Sequence, residues 1–296
     1  MQHALVLIGA PGALDDARLA AVRAALALAG ARLGEERGLA PGEAWEASVE
    51  GIAARAIEDA ARLATAGWKL DAAVLPSAGR KKRLLVADME STMIENEMLV
   101  EMAELAGLGP AMAEETARTM RGELDFKASL RARVKRFAGQ PAALLDAARA
   151  RIRPMPGGRA LVATMRAHGA LCALVSGGFT CFAEPFGREF GFDRIAANRL
   201  LLADGRITGE VAEPILGGEE KRATLTRLSA ELRIDAGAAV TVGDGANDVP
   251  MLSAAGLGVA FRPKPVAAAA ARVRIDHGDL CALLFLQGYR RAEFVT

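Results

Sequence analysis

The chain has 296 residues, 52% of them apolar and 4% aromatic, which is long enough for two domains, or one with a large insertion, and too apolar for disorder. With 37 basic and 36 acidic residues the net charge is +1, which argues against a nucleic acid or an anionic membrane as partner. Cys172, Cys181 and Cys281 have neither metal-like nor disulfide-like spacing, and no uncharged apolar run approaches the ~18 residues of a membrane span.

The first run, HALVLIGA, is brief and lacks a basic lead, so it is not read as a signal peptide, and the expectation is a soluble, cytoplasmic protein. Residues 3 to 8 read as a strand. Residues 13 to 29 place Leu14, Leu19, Val22, Leu26 and Leu28 at helical spacing. Extended runs follow at 31 to 38 and 45 to 50 around an APG turn, then a helical pattern at 51 to 67 and a strand at 71 to 76. The order βαββαβ predicts a small α+β ferredoxin-like unit over residues 1–78. The basic knot Arg80, Lys81, Lys82 and Arg83 reads as a solvated linker.

From residue 79 to 296 strands alternate with helices, the pattern of a parallel α/β sheet covered on both faces. Its candidate strands are 83 to 88, 170 to 176, 194 to 198, 238 to 244 and 257 to 261. The charged block 93–153 reads as helix throughout and is too long for one crossover, so it is expected to be an inserted helical cap. Residues 199 to 212 read as a hairpin turning at Asp204-Gly205.

Three polar clusters fall at strand ends: DMEST (88 to 92), SGGFT (176 to 180) and GDGAND (243 to 248). Ligands of open parallel sheets bind beyond the carboxyl ends of the strands. Asp88 and Glu90, two residues apart where the chain begins to turn, can face one small volume, and Asp244 adds a third carboxylate. Such acids repel unless a cation joins them, and a hard, oxygen-seeking ion such as Mg²⁺ is the natural solution. One acid can then attack phosphorus while another handles protons.

On these residues the chain resembles the haloacid dehalogenase superfamily of phosphotransferases, and within it the phosphoserine phosphatases. The resemblance covers residues 83 to 290 and is carried by DMEST, MRGELDFKASLRARV (120 to 134), VSGGF (175 to 179), Lys221 and VGDGANDVPM (242 to 251). It implies a Rossmann-like core with a helical cap, and an N-terminal unit of the small regulatory ACT-like kind, for which homodimer formation and feedback binding both stay open. It also implies hydrolysis of O-phospho-L-serine to L-serine and phosphate through an aspartyl-phosphate, the final step of serine biosynthesis, with Mg²⁺ as cofactor. By this resemblance Asp88 is the nucleophile, and Glu90 takes the place of the general acid/base, where the family normally has Asp. The metal is held by Asp88, Asp244 and the main-chain carbonyl of Glu90, with Asp248 orienting a bound water or Lys221. Ser176, Gly177 and Gly178 grip the phosphoryl oxygens, their amides lying before a helix, and Lys221 neutralises charge. Glu97 and Arg133 meet the ammonium and carboxylate of the serine moiety, Met120 and Phe126 shield the cap's inner face, and Asn247 either contacts substrate or holds its loop. The same chemistry on another small phosphomonoester is the second reading. His3, His168 and His277 fall outside every cluster, and Trp45, Trp68 and Tyr289 read as packing residues.

Overall fold

The computed structural model describes residues 2–108 and 111–295. Its N-terminal unit runs β1 (His3–Gly9), α1 (Asp16–Leu28), β2 (Arg32–Ala40), β3 (Ala44–Glu50), α2 (Ala54–Ala64) and β4 (Leu70–Pro76), as the sequence pattern predicts. The four strands form an antiparallel sheet in the order β2-β3-β1-β4. An antiparallel sheet with one wet face alternates apolar and polar residues, but β1 is apolar almost throughout because both of its faces are covered. Leu5 and Leu7 pack under α1 and α2 with Val22, Leu26 and Ile57, whereas Val6 and Ile8 join the core of the C-terminal unit, beside Phe285 and Leu286.

That second face explains part of the basic knot: Lys81 and Arg83 are exposed, as in the solvated linker expected, whereas Arg80 and Lys82 are partly covered. Arg80 is nearly buried, its side chain 10% exposed, and it pairs with Glu46 of β3 at 2.6 Å. It also donates to the carbonyls of Phe285 and Leu286 at the end of a C-terminal helix. Lys82 donates from Nζ to the Gly79 and Gly237 carbonyls. A second tie comes from Asp71 of β4, which accepts from the backbone amides of Asp276, His277 and Gly278. Buried carboxylates and helix-end carbonyls need partners; Arg80 supplies them for Glu46 and the helix end, and backbone amides do so for Asp71.

The C-terminal unit begins with β5 (Leu84–Ala87) and breaks at once into the cap helices α3 (Met98–Leu105), α4 (Ala111–Met120), α5 (Phe126–Lys135) and α6 (Ala143–Arg149). Among the described residues the cap is four short helices with turns between them, where the block 93–153 had read as helix throughout. Gly122, at φ +79°, is one of the stops. There follow α7 (Gly158–Ala167), β6 (Leu171–Phe179), α8 (Thr180–Phe190), β7 (Arg194–Asn198), β8 (Leu200–Ala203) and β9 (Arg206–Val211). The chain closes with α9 (Gly218–Glu231), β10 (Ala239–Gly243), α10 (Val249–Ala254), β11 (Leu257–Phe261), α11 (Pro265–Ala270), β12 (Val273–Ile275) and α12 (Ala282–Leu286).

Six strands make a parallel sheet in the order β12-β11-β10-β5-β6-β7. Chain order runs outward from β5 on one side and from β10 on the other, so a crevice opens where these neighbours diverge. The short edge strand β12 has no counterpart in the sequence expectations. The β8–β9 hairpin turns at Asp204-Gly205, as expected. Its far end supports the cap: Gly139 and Ala142 donate to the carbonyls of Ile207 and Gly205, and Ile207 donates to Gln140. No described helix is long and apolar enough to cross a membrane.

Candidate active site

The crevice between the ends of β5 and β10 holds three carboxylates. Asp88 follows β5, where its amide still donates to the Val242 carbonyl at 2.9 Å, and Asp244 follows β10. Asp248 comes back to them from the turn before α10. All three are buried, and one oxygen of each lies within 4.8 Å of the others. Lys221, fully buried on the first turns of α9, donates to Asp88 Oδ1 at 2.5 Å and to Asp248 Oδ1 at 2.7 Å. The second Asp248 oxygen accepts from the amides of Asp244 and Gly245. Asp244 has its own cation, Lys264, at 2.6 Å.

Burial, then the neighbouring Asp248, push the Asp88 carboxyl well above its ordinary pKa against the opposing pull of Lys221. Asp244 is pushed up to about 7, again by burial first, with Lys264 opposing. Burial works against the Lys221 ammonium, but Asp248 and Asp88 overcome it and hold its pKa above the ordinary lysine value.

Glu90 leaves the strand end differently from Asp88. Ser91 takes a left-handed turn at φ +54°, and Glu90 Oε1 accepts from the amide of Met98, the first residue of α3, at 3.1 Å. Glu90 is therefore both a pocket acid and an acceptor at a helix start. Burial raises its pKa, against the Met98 amide and Arg133. Glu97 accepts from Ser91 Oγ at 2.8 Å. Burial, then the charge of Glu90, push it up to about 7.

The cap closes the crevice. Asp88, Glu90, Glu97, Met120, Phe126, Arg133, Gly177, Gly178, Asp244 and Asn247, with Leu99 and Leu130, line one pocket with about 20 Å³ of water-accessible volume. That is room for about one water. The Phe126 ring lies against Gly177 so tightly that any side chain there would begin 2.7 Å from Cζ. Lys127–Glu220 and Arg131–Glu213, each 2.5 Å, tie α5 to the core beside the pocket.

Twelve of the thirteen residues singled out in the sequence line the pocket or join its carboxylate–lysine cluster. Ser176 lies behind Gly177 and Gly178. Its surroundings differ from those expected, because β6 continues through Phe179 and the pairing with β7 is interrupted between Val175 and Phe179. The Ser176–Gly178 stretch is thus an irregular strand segment, with α8 starting beyond it at Thr180. The Gly178 amide donates back to Ser176 Oγ at 2.9 Å, so it is already partnered. Among the described residues, Asn247 Oδ1 is buried without a hydrogen-bond partner.

Besides the apolar Leu99 and Leu130, the polar residues Lys264 and Asn198 escaped the sequence reading. Lys264 follows β11, on the same sheet edge as the three clusters, and that position was the available signal. Asn198, at the end of β7, donates to the carbonyls of Gly177 and Leu216 and accepts from the Leu216 amide. It thereby holds the glycine segment against the loop that leads to Lys221, and nothing in the local sequence marks it.

Sequence and fold are shared with known proteins. A family model described as haloacid dehalogenase-like hydrolase matches residues 85–253, from β5 through the carboxylates of the third cluster. The chain belongs to the haloacid dehalogenase-like hydrolases. A phosphoserine phosphatase of Streptomyces coelicolor is 40% identical over 256 residues, 86% of this chain and 62% of that protein. One of Lactococcus lactis is 38% identical over 203 residues, 69% of this chain and 94% of that protein. The crystal structure of a probable phosphoserine phosphatase from Vibrio cholerae superposes with a TM-score of 0.78 at 31% identity, over 98% of this chain and 88% of that one. The matched stretch spans 62%, 53% and 65% of the curated relatives from Streptomyces coelicolor, Mycobacterium tuberculosis and Haemophilus influenzae.

Proposed function

We propose that this hydrolase is a Mg²⁺-dependent phosphoserine phosphatase, converting O-phospho-L-serine to L-serine and phosphate. The observation that carries the reading is the meeting, in one closed pocket, of Asp88 and the carboxylate cluster with Glu97 and Arg133 from the cap side. A serine moiety presents one ammonium and one carboxylate, and an acid beside a guanidinium complements the pair. The relatives named phosphoserine phosphatase support the same substrate.

The donor set fits a hard dication. Asp88, Asp244 and Asp248 offer only oxygens, all buried and close together. Asp88, Glu90, Glu97, Asp244 and Asp248, if ionised, face Lys221, Lys264 and Arg133, which leaves two negative charges for a dication to balance. Asp88 and Asp244, with the Glu90 main-chain carbonyl, would hold Mg²⁺, and Asp248 would orient a water on it. When bound, the ion supplies charge neutralisation at the phosphoryl oxygens.

In the first half-reaction an Asp88 carboxylate oxygen forms a bond to phosphorus while the bond from phosphorus to the serine oxygen breaks. The departing oxygen takes its proton from Glu90, whose pKa is raised by burial. In the second, Glu90 takes a proton from water as that water bonds to phosphorus, and the bond to Asp88 breaks, restoring both carboxyl groups. Lys221 stays charged beside Asp88 and offsets charge on the equatorial oxygens. Gly177, which lines the pocket, receives the phosphoryl group through its amide, with the Ser176 hydroxyl behind it. Met120 and Phe126 keep bulk water out once the cap has closed.

Phosphate release from a panel of small phosphomonoesters, with and without Mg²⁺, tests the proposal. Phosphoserine should have the highest kcat/KM, with activity lost in Asp88→Asn; a preferred substrate lacking either the carboxylate or the ammonium would remove phosphoserine as the substrate.

A further inference from the structure

Arg133 sits on α5 with only 3% of its surface exposed. A guanidinium carries five N–H groups. Nε donates to the Ser129 carbonyl one turn earlier, at 3.4 Å, and Nη1 donates to Thr116 Oγ1 on α4 at 2.8 Å. Among the described residues these are its hydrogen bonds, so three N–H groups remain for another acceptor. Arg133 lines the pocket, while Thr116, itself 3% exposed, does not and stands behind it. An arginine left to itself can turn its fork through many rotamers, and a bidentate grip on a carboxylate demands one of them.

We infer that Thr116 is a positioning residue for the carboxylate end of the substrate: its hydroxyl fixes the rotation of the Arg133 guanidinium so that the free edge faces the pocket. The inference rests on phosphoserine being the substrate. Thr116 is separable from the packing of the two helices, because a neighbouring polar seam holds them independently. Ser129 and Thr119 hydroxyls lie 2.7 Å apart, Thr119 donates to the Glu115 carbonyl, and Arg136 pairs with Glu115 at 2.7 Å. Losing one buried hydroxyl therefore leaves α4 and α5 joined but frees the guanidinium.

The experiment compares phosphoserine with phosphoethanolamine, which keeps the phosphate and the ammonium and lacks the carboxylate. Wild type should prefer phosphoserine. Thr116→Val, nearly isosteric, and Thr116→Ala should each raise KM for phosphoserine by about tenfold, the scale of one charge-assisted hydrogen bond, with kcat changed less than about threefold. Both should leave phosphoethanolamine kinetics as in wild type, and Thr116→Ser, which retains the hydroxyl, should behave as wild type with both substrates. An unchanged KM for phosphoserine in Val and Ala variants, or equal losses on both substrates, overturns the positioning role. A wild-type enzyme with no preference for phosphoserine overturns the substrate reading, and the inference with it, so the two failures are told apart by the unmutated protein.

Discussion

Glu90→Gln isolates proton transfer from architecture. Glutamine matches glutamate in shape, and its amide oxygen can still accept from the Met98 amide, now 3.1 Å from Glu90 Oε1, so the start of α3 keeps its partner. What is lost is a titratable proton at the departing serine oxygen. A positioned general acid/base contributes about 10²–10⁴-fold, or about 2.7–5.5 kcal/mol of barrier, and kcat should fall by that factor. A second effect follows from charge. Burial and then Glu90 are what push the Glu97 carboxyl up to about 7, so removing the Glu90 charge lowers the Glu97 pKa. The acid limb of kcat/KM should therefore move to lower pH in the variant. Steady-state phosphate release across a pH series reads both. A variant that keeps more than about a tenth of wild-type kcat would refute Glu90 as the proton carrier, and a limb that does not move would refute the coupling of the two acids.

Glu97 is ionised above a pH of about 7 and neutral below it, and only the ionised form pairs with an ammonium. Wild-type kcat/KM for phosphoserine should drop by about tenfold per unit below that pH, and in Glu97→Gln, already weak, this limb should vanish; a limb that persists unchanged assigns the titration elsewhere. Because Asp88, Asp244 and Asp248 bring their carboxylate oxygens together in the crevice, Mg²⁺ at about a hundred times its Kd should stabilise the fold by about 2.7 kcal/mol, seen as a rise in Tm that Asp244→Asn lacks. A wild-type Tm indifferent to Mg²⁺ would contradict the metal assignment. Arg80→Ala leaves buried Glu46, among the described residues, with the half-exposed Arg37 and removes the donor that partners the Phe285 and Leu286 carbonyls at the end of α12. Urea denaturation should show a loss of about 3 kcal/mol; a loss under about 0.5 kcal/mol would restore the solvated linker.

The fold was readable wherever period and punctuation agree. The βαββαβ order, the Asp-Gly hairpin and the strands carrying Asp88 and Asp244 all follow from local pattern. β12 was not, because three residues with an arginine at the centre leave no period to detect. The basic knot misled because charge alone signals solvent, while the acceptors that bury Arg80 lie 34 and more than 200 residues away in sequence. Asp88, Glu90 and Asp244 were visible as acids at strand ends. The cap residues Glu97, Met120, Phe126 and Arg133 were visible only through resemblance, since on a helix such side chains normally serve surface or core. Lys264, Asn198 and Thr116 act through partners set by tertiary structure, and no spacing rule reaches them. Glu90 shows the limit of a single role: the side chain is a pocket acid and the acceptor at the start of α3 at once.

The most direct test of the central claim is single-turnover reaction with phosphoserine labelled in its phosphoryl group, stopped in acid after milliseconds and followed by peptide mapping. Label should appear on the peptide containing Asp88 before free phosphate accumulates, be released by hydroxylamine as an acyl phosphate is, and be absent from Asp88→Asn. Free phosphate rising in step with serine, with no label on that peptide at any time, would contradict transfer through Asp88.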